Sequence, residues 1–295
     1  MNGPSPLTDI THTDPEDCRL VARARSGESD ALEELVRRHQ AWIHNIAIRM
    51  LYHPQDAQDA TQEILIKALT HLSSFEGRST FRTWLYRIVV RHVLNTKRGR
   101  LEPAMLSFSC YGHGLDNTPD LDLPDDRSAP ADVRLMVDEA RITCTTGMPL
   151  CLDREQRLVY ILGEIFAVSD AVGAELLEIS RDNFRQRLAR ARRDLHSFMH
   201  DKCGLVNQAN PCRCTKKTWG FIQAGHVDPQ SLLFARARVQ QVREVVPRAH
   251  EALMTLDDRC GETYREHPFH ESPDFVQALR RLVASPDFQR AAGSP

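Results

Sequence analysis

Apolar positions in this chain recur every three to four residues from Asp14 to about Met199, so the pattern predicts helices almost throughout. Asp14-Pro15-Glu16 caps a first helix to about Arg25, and Gly27 breaks it. A second helix turns Ala31, Leu32, Leu35, Val36, His39, Trp42, Ile43, Ile46, Ala47 and Met50 inward. A third starts at His53-Pro54, buries Ile64, Leu65, Ala68, Leu69 and Leu72, and leaves Asp56, Asp59, Gln62 and Glu63 on a more exposed side. Asp56 and Asp59 suit the positive end of that helix, but the polar patch runs on to Glu63, beyond what helix-start electrostatics explains.

A fourth helix lies between Ser79 or Thr80, either of them a fair N-cap, and Gly99, a fair stop. Phe81, Trp84, Leu85, Ile88 and His92 form its apolar face. Arg87, Arg91, Asn95 and Arg98 form another, and no acid interrupts the basic residues between Arg78 and Leu101. Aromatic anchors on one side and an unneutralised basic stripe on the other suit a polyanion; a solvated amphipathic helix would look similar.

Composition then shifts. Between Glu102 and Glu139 nine acids stand against Arg127 and Arg134, with prolines at 103, 119, 124 and 130 and glycines at 112 and 114. That reads as an acidic, flexible tether without regular structure. Helical patterning returns from Val133 to Cys144, then from Leu152 onward with Leu158, Val159, Ile161, Leu162 and Ile165 buried. Ser169 caps a short helix to Leu177, Glu178-Ile179-Ser180 makes a turn, and a long helix runs from Arg181 to Met199. This is a helix-turn-helix arrangement, whose second helix enters the DNA major groove. Phe184, Leu188, Ala191, Leu195 and Phe198 give its inward seam, leaving Arg181, Asn183, Arg185, Gln186, Arg187 and Arg190 for base edges and phosphates.

Two long motifs carry a family resemblance. Glu76-Gly-Arg-Ser-Thr-Phe-Arg-Thr-Trp-Leu-Tyr-Arg-Ile88 closely resembles the promoter-melting segment of bacterial RNA polymerase sigma factors, most of all the extracytoplasmic-function (group IV) type. Asp56 to Ala68 resembles that family's polymerase-docking helix, and Arg185 to Leu195 its second DNA-binding segment. The likeness covers about residues 15–100 and 135–200. It implies an all-α chain of two small helical domains joined by an acidic linker, with core RNA polymerase and promoter DNA as partners and no active site. Under it, Asp56, Asp59, Gln62 and Glu63 would meet the polymerase clamp helices. Arg78, Ser79, Arg87, Arg91, Asn95 and Arg98 would work at the melted upstream-of-start element, with an extruded base held by the Phe75–Thr80 loop. The helix-turn-helix would take the distal duplex element. Three positions depart from the family pattern: Glu178 where the turn often has Gly, Gly173 where a buried aliphatic is usual, and Arg91 in place of an uncharged polar residue.

These readings divide the 295 residues into a disordered start (1–14), a polymerase-binding and melting domain (15–100), a linker (101–132), a helix-turn-helix domain (133–202) and a mostly helical extension (203–295). The net charge is only −2, so basic character is local. No apolar run approaches a membrane span and the start lacks a signal peptide's pattern, which leads us to expect a cytoplasmic protein with reduced cysteines. An anti-sigma protein, or the extension itself, is a further candidate partner.

The extension opens on cysteines. His196, His200 and Cys203, followed by Cys212 and Cys214, have spacing suited to a zinc site, with Cys203, Cys212, Cys214 and His200 as candidate ligands; no cofactor is otherwise called for. Small buried thiols or a redox pair fit the same residues. Cys144 and Cys151 read as core packing. Further on, Pro229 to Leu256 is patterned for one or two helices, and Ser272-Pro-Asp-Phe and Ser285-Pro-Asp-Phe each suggest an N-cap Ser with Pro at the first helical position. A DNA-binding regulator without polymerase docking and a zinc hydrolase are the alternatives; the docking motif argues against the first and the lack of a His-Glu-x-x-His pattern against the second.

Overall fold

The computed structural model describes residues 14–96, 107–121, 131–232, 260–261, 263–264 and 272–283. Among them every named element is helical, and the sole extended pairing is a single parallel bridge between Cys203 and Cys212. The expectations for residues 1–13, for Leu233 to Leu256 and for the second Ser-Pro-Asp-Phe echo fall outside the described residues.

The chain divides into two compact units. The first takes residues 1–100, 166–185 and 271–295; the second takes 101–165 and 186–270. The first begins with α1 (Pro15–Arg25), α2 (Ser29–Leu51), α3 (Pro54–Thr70) and α4 (Phe81–Asn95). Asp14 caps α1 by accepting from the Glu16 and Asp17 amides, and Gly27 turns the chain at φ 95°. Trp42 of α2 stacks on Tyr86 of α4 at 4.4 Å, and Phe75, Phe81 and Trp84 form an adjoining aromatic cluster.

A buried polar chain ties α1 to α2. Trp42 Nε1 donates to His39 Nδ1 at 3.1 Å, which leaves the Nε2–H of His39 facing Asp17 Oδ1 at 3.3 Å. Arg38 Nε donates to the same oxygen at 2.8 Å. Burial alone would raise the Asp17 carboxyl, but the bonds from His39 and Arg38 outweigh it and hold it below the ordinary range.

The second unit holds α5 (Phe108–Asn117), α6 (Ala131–Gly147), α7 (Arg154–Tyr160) continued by a wider turn to Ile165, and α10 (Cys214–Gln223). α8 (Asp170–Leu177) belongs to the first unit, and α9 (Arg181–Lys202) starts there and continues into the second. The second unit's core gathers Leu115, Met148, Tyr160, Leu195, Met199 and Phe221.

α5 corrects the tether expectation for residues 107–121. Ser107 caps it, and Phe108, Tyr111 and Leu115 make a helical stripe that the acidic average concealed. Gly112 lets the Phe198 ring approach; a Cβ there would lie 3.3 Å from its Cε2. Lys202 and Lys217 then neutralise Asp116 and Asp120 at 2.7 and 3.0 Å.

The last described helix, α11 (Phe275–Val283), belongs to the first unit. It starts later than the Ser272-Pro273 pattern suggests. Ser272 Oγ donates to the Pro273 carbonyl instead of capping, and Asp274 accepts from the Val276 amide at 3.0 Å.

Candidate polymerase and nucleic-acid interfaces

α4 forms because Thr80 accepts from the Thr83 amide at 3.0 Å and nothing interrupts the run to Asn95. Its buried face differs from the expected one. Leu85, Tyr86, Val89, Val90, His92 and Val93 point inward, whereas Trp84 and Ile88 are only half-buried. The physical reason is that α4 packs on α2, α3 and α8, so the covered arc is wider than one stripe and shifted toward Tyr86 and Val93. Trp84 and Ile88 therefore become walls of a groove of about 750 Å³, together with Glu63, Lys67, Arg91, His92 and Asn95.

This groove joins residues assigned to two separate tasks. Lys67 Nζ donates to His92 Nδ1 at 2.9 Å, and the other ring nitrogen of His92 stands 3.9 Å from Glu63. Burial and then the Lys67 charge lower the His92 pKa, against a smaller opposing pull from Glu63, so the ring is neutral at physiological pH. Asp59 accepts from Gln55 at 2.8 Å and is exposed; Asp56 lies 3.8 Å from His53; Gln62 is half-buried beside Asp59 on the helix surface. The four polar residues of α3 thus form a continuous strip, with Glu63 at the groove's edge.

On α4 itself, Arg87 sits 3.7 Å from Glu175 of α8 and Arg91 3.2 Å from Glu178 at the end of α8, all within the first unit. Arg78 is highly exposed and paired with Glu76, and Ser79 Oγ donates to the Thr80 carbonyl. Phe75 is part of the aromatic core, which leaves Glu76 to Thr80 as the more exposed part of this loop. Arg98 lies outside the described residues.

The turn between α8 and α9 is tight because Ser169 caps α8, Ser180 Oγ accepts from the Asn183 amide, and Glu178 takes the left-handed conformation at φ 55°. Gly173, the other departure, has a clear cause: a Cβ there would stand 2.3 Å from Cε2 of Phe184, whose ring occupies the aliphatic's place. Along α9, acids hold several arginines. Arg185 pairs with Asp170 and Asp182, Arg187 with Glu155 and Arg192 with Glu164. Arg181, Gln186 and Arg190 are exposed, and Asn183 is half-buried. The partners Glu155, Glu164 and Asp170 were not legible beforehand, because sequence spacing does not bring them near α9.

Of the expected zinc ligands, Cys203 and Cys212 are paired by the backbone bridge and Cys214 lies within electrostatic reach of both, while His200 is exposed. Among the described residues no three His, Cys, Asp or Glu side chains are arranged to hold a metal ion. His196 is buried, with Nε2 3.2 Å from the Tyr160 hydroxyl, while His200 is exposed and faces Asp201 at 3.3 Å. Sharing an i,i+4 face does not keep the two together, because only His196 reaches the core. Burial raises the thiol pKa of Cys203 and Cys212, and pushes Cys214 up to about 12, so these groups are protonated.

Residues 35–101 match the family model of sigma-70 region 2. The RNA polymerase sigma-H factor of Pseudomonas aeruginosa is 40% identical over 93 residues, covering 31% of this chain and 48% of that protein. That alignment thus spans about half the length of the curated relative. The sigma factor CnrH of Cupriavidus metallidurans is 29% identical over 63% of this chain and 96% of its own length. The ECF RNA polymerase sigma-E factor of Haemophilus influenzae is 28% identical over 60% and 91% respectively. Residues 35–101 are thus similar to sigma-70 region 2, and about 60% of the chain is similar to sigma factors, among them one of the extracytoplasmic-function type. Among the described residues no helix is long and apolar enough to cross a membrane.

Proposed function

We propose that this protein binds core RNA polymerase in the cytoplasm through the Asp56–Glu63 strip and directs it to promoters, with no catalytic centre or required cofactor of its own. The observation that carries this reading is the α3–α4 groove, in which an acidic strip adjoins Trp84, Arg91 and Asn95. Aromatic walls with flanking cations suit an unstacked base and its phosphates. Arg87, Arg91 and Asn95 act on the upstream element as it melts, and Arg78 and Ser79 guide the strand. Arg181, Gln186 and Arg190 of α9 read the distal duplex from the major groove.

Run-off transcription with purified core polymerase on genomic fragments tests the reading. Specific start sites should appear only when the protein is added. DNA binding without any polymerase association would replace it with a regulator acting alone.

A further inference from the structure

α11 lies against α2 and α3 in the first unit. Phe275, Val276 and Leu279 are almost fully buried. The Phe275 ring sits 6.1 Å from that of His44, and His44 in turn contacts Thr61 of α3 at 3.4 Å. At its start the Phe275 amide donates to Gln40 Oε1 at 3.2 Å. Farther along, Arg280 grips Glu33 with both ends of its guanidinium, and that contact holds the Glu33 carboxyl below its ordinary pKa. A helix this short is marginal alone in water, so its helicity depends on this seat. The seat accordingly recognises a short amphipathic helix bearing two or three apolar anchors and an arginine one turn after the second.

Its position gives it a consequence. Thr61 and Leu65, on the α3 face turned toward α2, are followed around the helix by Gln62 and then by Asp59 and Glu63. Packed helices stand about 8–10 Å apart, axis to axis. A helix laid on the Gln62 side of α3 would therefore need part of the space that α11 fills.

We propose that α11, seated on α2 and α3 beside the polymerase-docking strip, competes with core polymerase for space, and that core polymerase binds only when α11 leaves. This rests on reading the α3 strip as the docking site. The contact gives the chain a built-in competitor: the apparent affinity for core polymerase is set by the fraction of molecules in which α11 is undocked.

The experiment uses the full-length chain and purified core polymerase. Phe275→Asp with Leu279→Asp undocks α11 without altering α2 or α3. Arg280→Glu is a milder variant, to be rescued by Glu33→Arg. Amide exchange across α2 and α3 reports undocking, and an affinity titration reports binding. If α11 is docked in about 90–99% of molecules, undocking should tighten the dissociation constant about ten- to a hundredfold. The Arg280→Glu, Glu33→Arg pair should return it toward the parent value. Faster exchange with unchanged or weaker core affinity, in a background where Asp59→Arg still impairs binding, would overturn the proposal and leave the docking strip standing. Indifference of core binding to Asp59→Arg as well would instead remove the docking reading on which it rests.

Discussion

Arg91 of α4 donates to the carboxylate of Glu178, 3.2 Å away, and Glu178 is the left-handed residue that closes α8 at φ 55°. One side chain thus accounts for two departures from the family pattern. A non-glycine residue in that conformation costs of order 1 kcal/mol, and an exposed ion pair returns about 0–1 kcal/mol, so the position is close to neutral for stability. The same pair occupies a cation on the face proposed to meet DNA.

Replacing Glu178 with Gly should therefore leave stability unchanged or raise it by about 1 kcal/mol, while freeing Arg91. Promoter affinity of the holoenzyme should rise, and its salt dependence should steepen by about one counterion. Urea unfolding and anisotropy titrations over a salt series check both halves. Weaker binding together with lower stability would mean that Glu178 has a structural role not captured by the pair.

Gly173 offers a cleaner packing test. Alanine favours a helix by about 1 kcal/mol over glycine, yet its methyl would stand 2.3 Å from the Phe184 ring. Overpacking of this kind costs about 1–3 kcal/mol. Gly173→Ala should thus destabilise the protein, and adding Phe184→Leu should recover much of the loss, because leucine vacates the space at Cε2. Additive losses in the double variant, measured by thermal unfolding, would show that the ring is not what excludes the methyl.

That pair also shows where the sequence falls silent. Helix existence was legible because caps sit where the periodicity starts: Asp14, Thr80, Asp153 and Ser169 each accept a backbone amide near a helix start. Faces were less so. A stripe through Trp84 and Ile88 is the obvious apolar side of α4, but three neighbouring helices cover a different arc, and the groove wall follows from how they pack. α5 was masked by averaging, since Phe108, Tyr111 and Leu115 are few among many acids. α10 went unnoticed for a similar reason: Phe221 is buried, but Trp219 on the same short helix is exposed. The arginines of α9 all looked available, and only the fold supplies Glu155, Glu164 and Asp170 to engage some of them.

His44 predicts a pH dependence. Burial, with the Arg49 charge adding to it, lowers its pKa to about 4. The unfolded chain takes up a proton near pH 6.5 and the folded chain does not until about pH 4, so the unfolded state binds more protons in that window. Stability should fall by about 3 kcal/mol as pH drops from 6.5 to 4. His92, also lowered, acts in the same direction. A His44→Asn variant should show a shallower loss over this range. Equal slopes in the two proteins, by denaturant titration at several pH values, would assign the acid sensitivity elsewhere.

The docking strip can be separated from the groove it borders. Asp59 is exposed and bonded only locally, to Gln55, whereas Glu63 faces His92 across 3.9 Å beside Lys67. Reversing Asp59 to Arg should weaken core binding by about tenfold and leave promoter opening by the bound fraction intact, because charge at an interface rim acts mainly on association. Reversing Glu63 to Arg removes a carboxylate facing His92 and adds a cation to a groove already holding Lys67 and Arg91. Core binding should weaken there too, but permanganate reactivity of the promoter should also change once core polymerase is saturating. The fold should survive both changes, since exposed substitutions commonly alter stability by less than about 0.5 kcal/mol. Identical phenotypes for the two reversals at saturating polymerase would mean that Glu63 serves docking alone and that the groove's acidic edge takes no part in melting.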